Sequence, residues 1–562
     1  MGLTKPDQPD FDVDEWRAQP YAERLRLMCV TWCTQGFGAP DVVYILYILK
    51  IALYIGGFFL FAFLTPSLGG PASFGSWWSD TIAFEKAMIW TILWEVLGLG
   101  CGSGPLTGHY QPLFPAVRHW LRPGTTRLRP FTWVPFTAGH RRTWFDVALY
   151  AALLLVTLRA LLSAEIAASQ LVPIIALVCV LGLRDKTIFL AARSEHYLMM
   201  LVVFLFADDL IAGAKALMVI LWIGAATSKL THNFPNVMAI MLSNSPVQRS
   251  KRLRRALYRS YPDDLRPSRL AAVFAHSATF IEFAFPITLA LTSSGPLHTA
   301  ALVLMVLFHL NIFLSIPMGV PLEWNIAFIY SGLVLFGAYG DVHLWSISSP
   351  WLIAALVGLI LIGPVYGNIR PDKISFLPSM RYYAGNWAPS VWVFKPGMLE
   401  RLDERMIKSS PRHEVQLEGQ IEPGTYDVTI ARGWAFRAMH LHGRALATLL
   451  PRTYEDLAAT DADIAARGPD AFELIDGEMI AGMVLGWNFG DGHLHHEQLL
   501  AAVQAECEFE PGDLRCLFIE SQPLVRQSMD WRISDAATGP MSNGRVQVRD
   551  LLELQPWGAP TG

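Results

Sequence analysis

Four ionisable side chains lie in or at the end of four different apolar stretches of the sequence: His196, Lys229, Glu282 and His309. A charge at the centre of a bilayer costs about 2.5–3.5 kcal/mol on insertion scales, so such groups normally face one another or a wet cavity. We therefore predict that the four residues form one polar site. A desolvated lysine is a usable base, and histidine relays protons near neutral pH. The predicted chemistry is lysine and histidine acid–base catalysis, with Glu282 balancing the charge.

Each of these residues also has a structural interpretation. Lys229 is near the end of its apolar stretch and can extend to the lipid head groups. His196 and His309 can be hydrogen-bonded between packed helices, and Glu282 needs only a buried polar partner. Side chains that converge around a pocket would favour an enzyme, whereas closed ion pairs would favour a scaffold.

Membrane helices are the elements that must position this site. The 562 residues are 52% hydrophobic and 16% charged, which is too apolar for an ordinary soluble enzyme. The predicted fold is an all-α polytopic bundle of about nine or ten transmembrane helices, followed by a cytoplasmic α+β domain. Ten segments have the apolar character of a span: Val42–Leu64, Lys86–Gly100, Trp144–Ala164, Ser169–Leu183, Ile188–Ala207, Leu210–Thr227, Leu270–Leu291, Thr299–Ile316, Trp324–Phe336 and Trp351–Pro364.

Basic residues set the predicted orientation, because loops that stay in the cytoplasm collect lysine and arginine. Eight basic residues occur from Arg249 to Arg269 and six arginines from Arg118 to Arg142. With ten spans, these loops, Arg184–Lys186 and Arg370–Lys373 fall on one side. The loops on the other side contain no basic residue: 65–83, 292–298 and 337–350. We predict a multi-pass protein of the inner (plasma) membrane with both termini in the cytoplasm.

The chain divides into three predicted parts by composition. Residues 1–40 form a cytoplasmic N-terminal segment, residues 41–366 the membrane domain and residues 371–562 a soluble α+β domain. In the last part, strand-like runs occur at Tyr426–Ile430, Phe472–Ile475 and Cys516–Ile519. Asp476-Gly477 is typical of a tight hairpin turn.

Five histidines cluster in two short segments of the soluble domain. If both segments are extended, His440 and His442 point one way, as do His493 and His495, which predicts a four-nitrogen metal site. The alternative is that these histidines lie in exposed loops. If this domain rather than the membrane carries chemistry, Glu497 and Asp491 are candidate acid/base residues or ligands.

Three segments of the central region resemble the vitamin K-dependent gamma-carboxylase-like transmembrane domain. Trp222–Pro235 is a small-residue helix end that runs into Lys229 followed by leucine. Glu195–Leu198 looks like the family's Asn-His-Ser-Tyr-Leu segment with a one-residue shift, and Phe308–Met318 is similar to its Phe-His-Leu segment and the turn that follows. The resemblance covers about residues 144–336. It implies that Lys229 is the base toward a reduced quinone, assisted by functional histidines.

The chain departs from that family in two respects. It has Ser228-Lys229 where the carboxylase has two adjacent lysines, and nothing in its tail suggests a propeptide-binding domain. Carboxylation of glutamate is therefore not expected. The N-terminal and tail sections instead resemble an uncharacterised bacterial transmembrane family, which implies an architecture and no activity.

Two functions follow from these observations. The first is a membrane-embedded enzyme that acts on a quinone or lipid and has a cavity reachable from the bilayer. The second is a non-catalytic lipid-binding or transport-accessory scaffold whose C-terminal domain binds a membrane protein partner. Membrane lipids are predicted partners of either. The net charge of −4 leaves no basic surface for nucleic acid.

Overall fold

The computed structural model describes residues 3–102, 104, 110, 116–315, 322–381, 384–418, 420–422 and 424–559. Helices dominate this part of the chain, which also contains a short hairpin and a five-stranded sheet in the C-terminal region. Residues 316–318, at the end of the predicted Phe308–Met318 motif, lie outside the described residues, as does the last residue of the predicted span Thr299–Ile316.

Six helices of the described chain are long and apolar enough to cross a membrane, and each matches a predicted span. The helix Ala207–Ser228 has 67% of its apolar window buried, against 28–33% for the other five, so it is central to the bundle. The outer helices leave large apolar side chains exposed, such as Ile48 and Phe280. The other five helices are Asp41–Phe63, Trp144–Leu162, Arg269–Leu291, Pro296–Ser315 and Pro350–Ile369.

In the described chain, the remaining four predicted spans do not form helices that are long and apolar enough to cross a membrane. Three of them are shorter apolar helices: Ala168–Arg184, Ser194–Phe204 and Leu322–Ala338. The predicted span Ile188–Ala207 is interrupted because Arg193 adopts a left-handed conformation, with φ of 50°, before a π-helical turn over Ser194–Leu198. The predicted span Lys86–Gly100 corresponds to Thr81–Val96, a helix that the bundle buries almost completely.

The other described elements are mostly short. In the N-terminal and membrane regions they are Val13–Arg17, Tyr21–Gln35, Pro71–Ser73, Phe74–Trp77, Val117–Trp120, Lys186–Ala191, Phe234–Asn244, Lys251–Ala256, Leu344–Ser346 and Gly367–Ile369. In the C-terminal region they are Met398–Arg405, His413–Leu417, Tyr426–Ala438, Leu441–Leu449, Leu450–Thr453, Glu455–Ala458, Ala462–Arg467, Gly468–Ala471, Gly477–Leu485, Gly492–Leu494, Glu497–Cys507 and Val548–Leu552. The N-terminal helix Tyr21–Gln35 packs on Tyr426–Ala438, with Trp32 against Phe436 at 5.6 Å between ring centroids.

The basic loops share one side of the bundle with the C-terminal region. Arg141 pairs with Glu506, the Lys186 ammonium donates to the His493 carbonyl, and Arg266 pairs with Glu553 at 2.7 Å. Two of the loops without basic residues, 292–298 and 337–350, meet elsewhere, since a Cβ built at Gly340 would lie 2.5 Å from the Ser293 carbonyl oxygen. This agrees with the predicted grouping of the loops, and the compartment that they face stays a prediction.

The C-terminal sheet is antiparallel. Its strands are β3 (Ser390–Phe394), β4 (Glu473–Asp476), β5 (Leu514–Ile519), β6 (Ser528–Asp535) and β7 (Gly539–Gln547), in the order β4-β3-β5-β6-β7. The hairpin in the basic loop pairs β1 (Tyr258–Ser260) with β2 (Asp264–Pro267). Every residue of β3 and β5 is buried, as expected for inner strands covered on both faces.

Two local predictions for the C-terminal region are wrong: a strand at Tyr426–Ile430 and a hairpin turn at Asp476-Gly477. Tyr426–Ile430 begins the helix Tyr426–Ala438 rather than forming a strand. Asp476 does not begin a hairpin turn: its carboxylate accepts from the Glu478 amide at 2.8 Å and caps the helix Gly477–Leu485. Aspartate serves both turns and helix N-termini, so the local signal is shared. The predicted strands at Phe472–Ile475 and Cys516–Ile519 are confirmed within a few residues.

Candidate functional site

Lys229 and Glu282 form a closed ion pair inside the bundle. Lys229 follows the last turn of the helix Leu210–Ser228, and its ammonium contacts the Glu282 carboxylate in the middle of Arg269–Leu291. Both side chains are about 95% buried, at 4% and 5% exposure. The ring of Phe308 lies 5.6 Å from the ammonium and shields it further. The charge of this lysine is therefore already neutralised within the protein.

His309 is also fully engaged. Its Nε2 accepts from the Trp222 indole N–H at 3.0 Å, so the proton must be on Nδ1, which lies 2.9 Å from the Asn325 amide oxygen. Its ring stacks on Phe328 at 5.0 Å with an interplanar angle of 12°. These contacts fix the ring and leave it as a hydrogen-bonded core histidine.

His196 is buried in the π-helical turn Ser194–Leu198. Neither of its ring nitrogens has a hydrogen-bond partner among the described residues. The ring stacks on Tyr197 at 4.3 Å and contacts Phe328, the ring that His309 also contacts, at 4.8 Å. The four predicted residues thus lie in one aromatic region, but the described contacts join only Lys229 and Glu282 directly.

A second buried ion pair lies beside this region. Lys50 pairs with Glu323 at 2.9 Å, and Glu95 accepts from the Trp324 indole at 2.8 Å. The partner of Lys50 comes from the helix Leu322–Gly332.

The predicted four-histidine metal site does not form. His440 and His442 stack on each other at 5.3 Å beside Trp387, whereas the His495 ring nitrogen lies 2.7 Å from the Ser390 hydroxyl. Within the described part of the chain, no group of three or more histidine, cysteine, aspartate or glutamate side chains could hold a metal ion. The prediction assumed extended segments, but His442 is in the helix Leu441–Leu449 and His493 in the turn Gly492–Leu494.

Burial explains the state of these histidines. It lowers the pKa of His440 and of His495 to about 3 and the pKa of His442 well below its usual value. Neutral imidazoles pack against aromatic rings at little cost, because no charge has to be desolvated. His440, His442 and His495 therefore belong to the packed core of the C-terminal region.

An amphipathic cavity of about 1180 Å³ separates the membrane helices from the C-terminal region. Its apolar wall comes from the helices Ala168–Arg184, Met199–Phe204 and Pro350–Ile360, through side chains such as Val202 and Leu359. The lining residues Cys179 and Ile362 are exposed, so the protein leaves this apolar wall open.

The other end of the cavity is polar and comes from both parts of the chain. Asp185 caps the short helix Lys186–Ala191 and so directs the next residue, Lys186, toward the sheet region. The Lys186 ammonium donates to the His493 carbonyl and lies 3.4 Å from His496 Nε2. The titratable lining residues at this end are Arg129, Lys186, Glu195, Asp372, Lys373, His493, His496, Glu497, Glu520 and Arg532.

The protonation states at this end differ from their values in water. Burial lowers the pKa of Lys186 to about 8 although the nearby carboxylates of Asp491, Asp185 and Glu497 raise it, so the group can both give and take a proton near neutral pH. Burial also keeps His496 neutral by lowering its pKa well below the usual value. His496 Nδ1 accepts from the Gln498 amide at 3.0 Å, so its Nε2 carries the proton and faces Lys186.

Two carboxylates complete the polar end. Glu497 pairs with Arg532, whose guanidinium lies 4.5 Å from the ring of Phe518. Burial is the largest single influence on Glu520 and raises its pKa, but the interactions with His493, the Ser521 amide and Arg532 together outweigh burial, so the net shift of the pKa is downward. Asp491, the other acidic residue suggested by the sequence, caps the turn Gly492–Leu494 by accepting from the His493 amide at 3.0 Å.

The sequence reasoning missed Lys186 and the roles of His496 and Glu520. Lys186 was used only as a topology signal, since a basic residue at the end of a span normally faces lipid head groups. The available signal was Asp185, a helix-capping residue that restarts a helix directly after a span. The contact between Lys186 and His493 joins residues 307 positions apart and has no local signature.

The fold and the cavity define a class: polytopic membrane proteins whose helices and C-terminal sheet together enclose an amphipathic site. Within that class, the chain belongs to the family described as transmembrane protein of unknown function (DUF3556), whose model matches residues 1–562. No curated protein and no solved structure matches the chain. The family match gives no support to a relationship with the gamma-carboxylase-like domain.

Proposed function

We propose that the protein is a membrane-embedded enzyme that takes a lipid or quinone into the amphipathic cavity and acts on it by lysine and histidine acid–base chemistry. The observation that carries the proposal is the convergence of Lys186, His493 and His496 at the polar end of a cavity whose other wall is apolar and formed by membrane helices. Clefts with apolar walls and a few convergent polar groups are the usual form of a small-molecule site.

This proposal moves the chemistry away from the predicted lysine. The carboxylase-like resemblance assigns the base to Lys229, but Lys229 is paired with Glu282 and covered by aromatic rings. Lys186 forms no ion pair with the carboxylates of the described residues and faces the cavity. The same type of chemistry is thus better supported at Lys186.

The loop before the helix Trp144–Leu162 supports entry from the bilayer. Phe131 lines the cavity, and Trp133 and Phe136 nearby are 77% and 92% exposed. Exposed aromatic side chains next to the end of a span are typical of the membrane–water interface. Arg129, also in the cavity wall, adds a positive charge beside the head-group layer.

We expect Gly358→Phe to abolish retention of the ligand. Gly358 lines the apolar wall, and a Cβ added there meets no protein atom within 4 Å, so we expect the phenylalanine ring to occupy space in the cavity. The measurement is mass spectrometry of the organic extract of purified protein. Gly56→Phe is the matched control, because Gly56 is in the membrane helix Asp41–Phe63 and also has open space.

The outcomes separate the hypotheses. One lipid or quinone class that is held by wild type, Gly56→Phe and Lys229→Met but lost in Gly358→Phe supports the cavity. Loss in Lys229→Met with retention in Gly358→Phe would return the site to the predicted lysine. Equal bulk-lipid profiles in all four proteins would contradict a specific site.

The second candidate is a non-catalytic lipid-binding or transport-accessory protein, and the closed ion pairs of the bundle favour it. The two candidates differ in turnover. An enzyme incubated with a total membrane lipid extract should consume one class and release a product, whereas His493→Gln should bind the same class without consuming it. Binding without consumption by the wild-type protein supports the second candidate.

A further inference from the structure

Three polar side chains of the cavity, those of Ser375, His493 and Glu520, lie next to one another in that order. The Ser375 hydroxyl lies 3.3 Å from His493 Nδ1, and His493 Nε2 lies 3.4 Å from Glu520 Oε2. All three residues line the cavity. A hydroxyl next to one imidazole nitrogen, with a carboxylate next to the other, is the arrangement that activates a serine nucleophile. Contacts of this kind are often this long before a substrate orders them.

We propose that Ser375, His493 and Glu520 form a nucleophile–base–carboxylate relay and that the substrate of the cavity is an ester lipid whose acyl group is transferred to Ser375. This inference rests on the proposed function and specifies its substrate class and reaction. It goes beyond lysine and histidine chemistry, since the attacking atom is a serine oxygen.

The position of each residue fits its role. Ser375 follows the last membrane helix by a few residues, so its hydroxyl lies where the apolar wall of the cavity meets the polar end. The ester group of a lipid occupies the same junction between chain and head group. The apolar wall from Ala355 to Gly363 extends roughly 12 Å along its helix at 1.5 Å per residue, which accommodates an acyl chain.

Glu520 is a positioning residue that fixes the tautomer of His493. For Nδ1 to accept a proton from Ser375, the other nitrogen must carry its own proton and face a hydrogen-bond acceptor. Glu520 Oε2 lies 3.4 Å from that nitrogen, and we propose that it becomes the acceptor when a substrate orders the site. One Glu520 oxygen also accepts from the Ser521 amide at 2.9 Å, which orients the carboxylate.

The reaction balances with water as the only co-reactant. Ser375 Oγ attacks the ester carbonyl carbon, and His493 Nδ1 takes the hydroxyl proton as the Oγ–C bond forms. The ester C–O bond then breaks, and the leaving alkoxide receives that proton and departs as an alcohol. Water attacks the acyl-serine, again giving its proton to His493, and the fatty acid leaves as the proton returns to Ser375. The Lys186 cation at the same end stabilises the negative charge that develops on the carbonyl oxygen.

The test uses the full-length protein in detergent with two probes. A rhodamine-linked fluorophosphonate reacts covalently with activated serines, and p-nitrophenyl decanoate reports ester cleavage. We expect label on the peptide that contains Ser375, its loss in Ser375→Ala, and a drop of at least about a thousandfold in ester cleavage. We expect His493→Gln to lose about a hundredfold or more. Glu520→Gln should lower kcat with little change in KM, as expected of a positioning residue.

Ser409→Ala is the matched control. Ser409 is not among the residues that line the cavity, and its hydroxyl donates to the Gly482 carbonyl at 2.8 Å. Label and activity that persist in Ser409→Ala and disappear in Ser375→Ala support the relay. Label that persists in Ser375→Ala, or its absence from wild type, overturns the relay. If the wild-type protein consumes a lipid class but is not labelled, only the relay is contradicted. If the wild-type protein neither retains nor consumes a lipid class, the proposed function is contradicted as well.

Discussion

Lys229→Met should lower the free energy of unfolding by about 3–5 kcal/mol, because it leaves the Glu282 carboxylate buried without its counter-ion. The cost comes from the unpaired charge and not from lost packing, since methionine is similar in volume to lysine. The measurement is a denaturant titration of the protein in mixed micelles, or the shift in its thermal unfolding midpoint.

A double variant identifies the origin of that cost. Lys229→Met with Glu282→Leu replaces the ion pair by apolar side chains, and buried pairs replaced in this way often lose nothing. We expect the double variant to recover most of the stability. Lys5→Met is the surface control: Lys5 pairs with Glu422 at 3.0 Å with both side chains exposed, and such pairs contribute about 1 kcal/mol or less. A single-variant loss as small as the control would contradict the buried pair.

Arg437→Met should have an effect of the same size in the C-terminal region. The Arg437 guanidinium on the helix Tyr426–Ala438 donates to Asp476 at 2.7 Å and also contacts Glu478. Arg437 thus links the end of β4 and the start of the helix Gly477–Leu485 to the helix Tyr426–Ala438. Without it, two buried carboxylates lose their counter-ion, which costs about 3–5 kcal/mol at neutral pH.

The loss in Arg437→Met should shrink as the pH falls. Burial already raises the pKa of Glu478 to about 7 with the guanidinium present, and its removal raises the pKa further. An acid whose pKa is higher in the folded state binds protons that the unfolded state releases, so its stability penalty is largest at high pH. Because the folded-state pKa of Glu478 is about 7 in wild type and higher in the variant, we expect the stability difference between them to shrink as the pH falls toward about 7 and to level off below it, measured by unfolding at each pH. A pH-independent loss would point to packing instead. Arg467→Met, at an exposed pair with Asp463, is the control.

Local sequence patterns predicted much of the membrane architecture. Apolar length alone located the six crossing helices, because lipid exposure imposes the same requirement on every residue of such a segment. It did not reveal that Thr81–Val96 is enclosed by protein, since a buried helix and a lipid-exposed helix are both apolar. The predicted span Ile188–Ala207 is interrupted at Arg193, which has a left-handed backbone conformation. Hydropathy contains no information about backbone conformation, so it could not predict this interruption.

The sequence predicted that charged residues in the membrane segments are buried and have polar partners, and the catalytic role of these residues stays a prediction. The sequence indicated that Lys229 and Glu282 need polar partners, and they are partners of each other across 53 residues. Cavity residues such as Lys186 and His493 meet only through the packing of the sheet region on the bundle, and no periodicity or spacing records that contact. Charge in a membrane segment therefore predicted burial and pairing better than it predicted chemistry.

The central position of β5 sets the order in which the cavity can be completed. Chains are made from the N-terminus, so the membrane helices are inserted before residues 514–519 leave the ribosome. That strand pairs with both β3 and β6, and Glu520 follows it directly. During synthesis the apolar wall therefore exists first, while the histidine and glutamate end is still missing. If the proposed function holds, the nascent protein meets lipids before its site is complete, and it becomes reactive only when the last strands have folded.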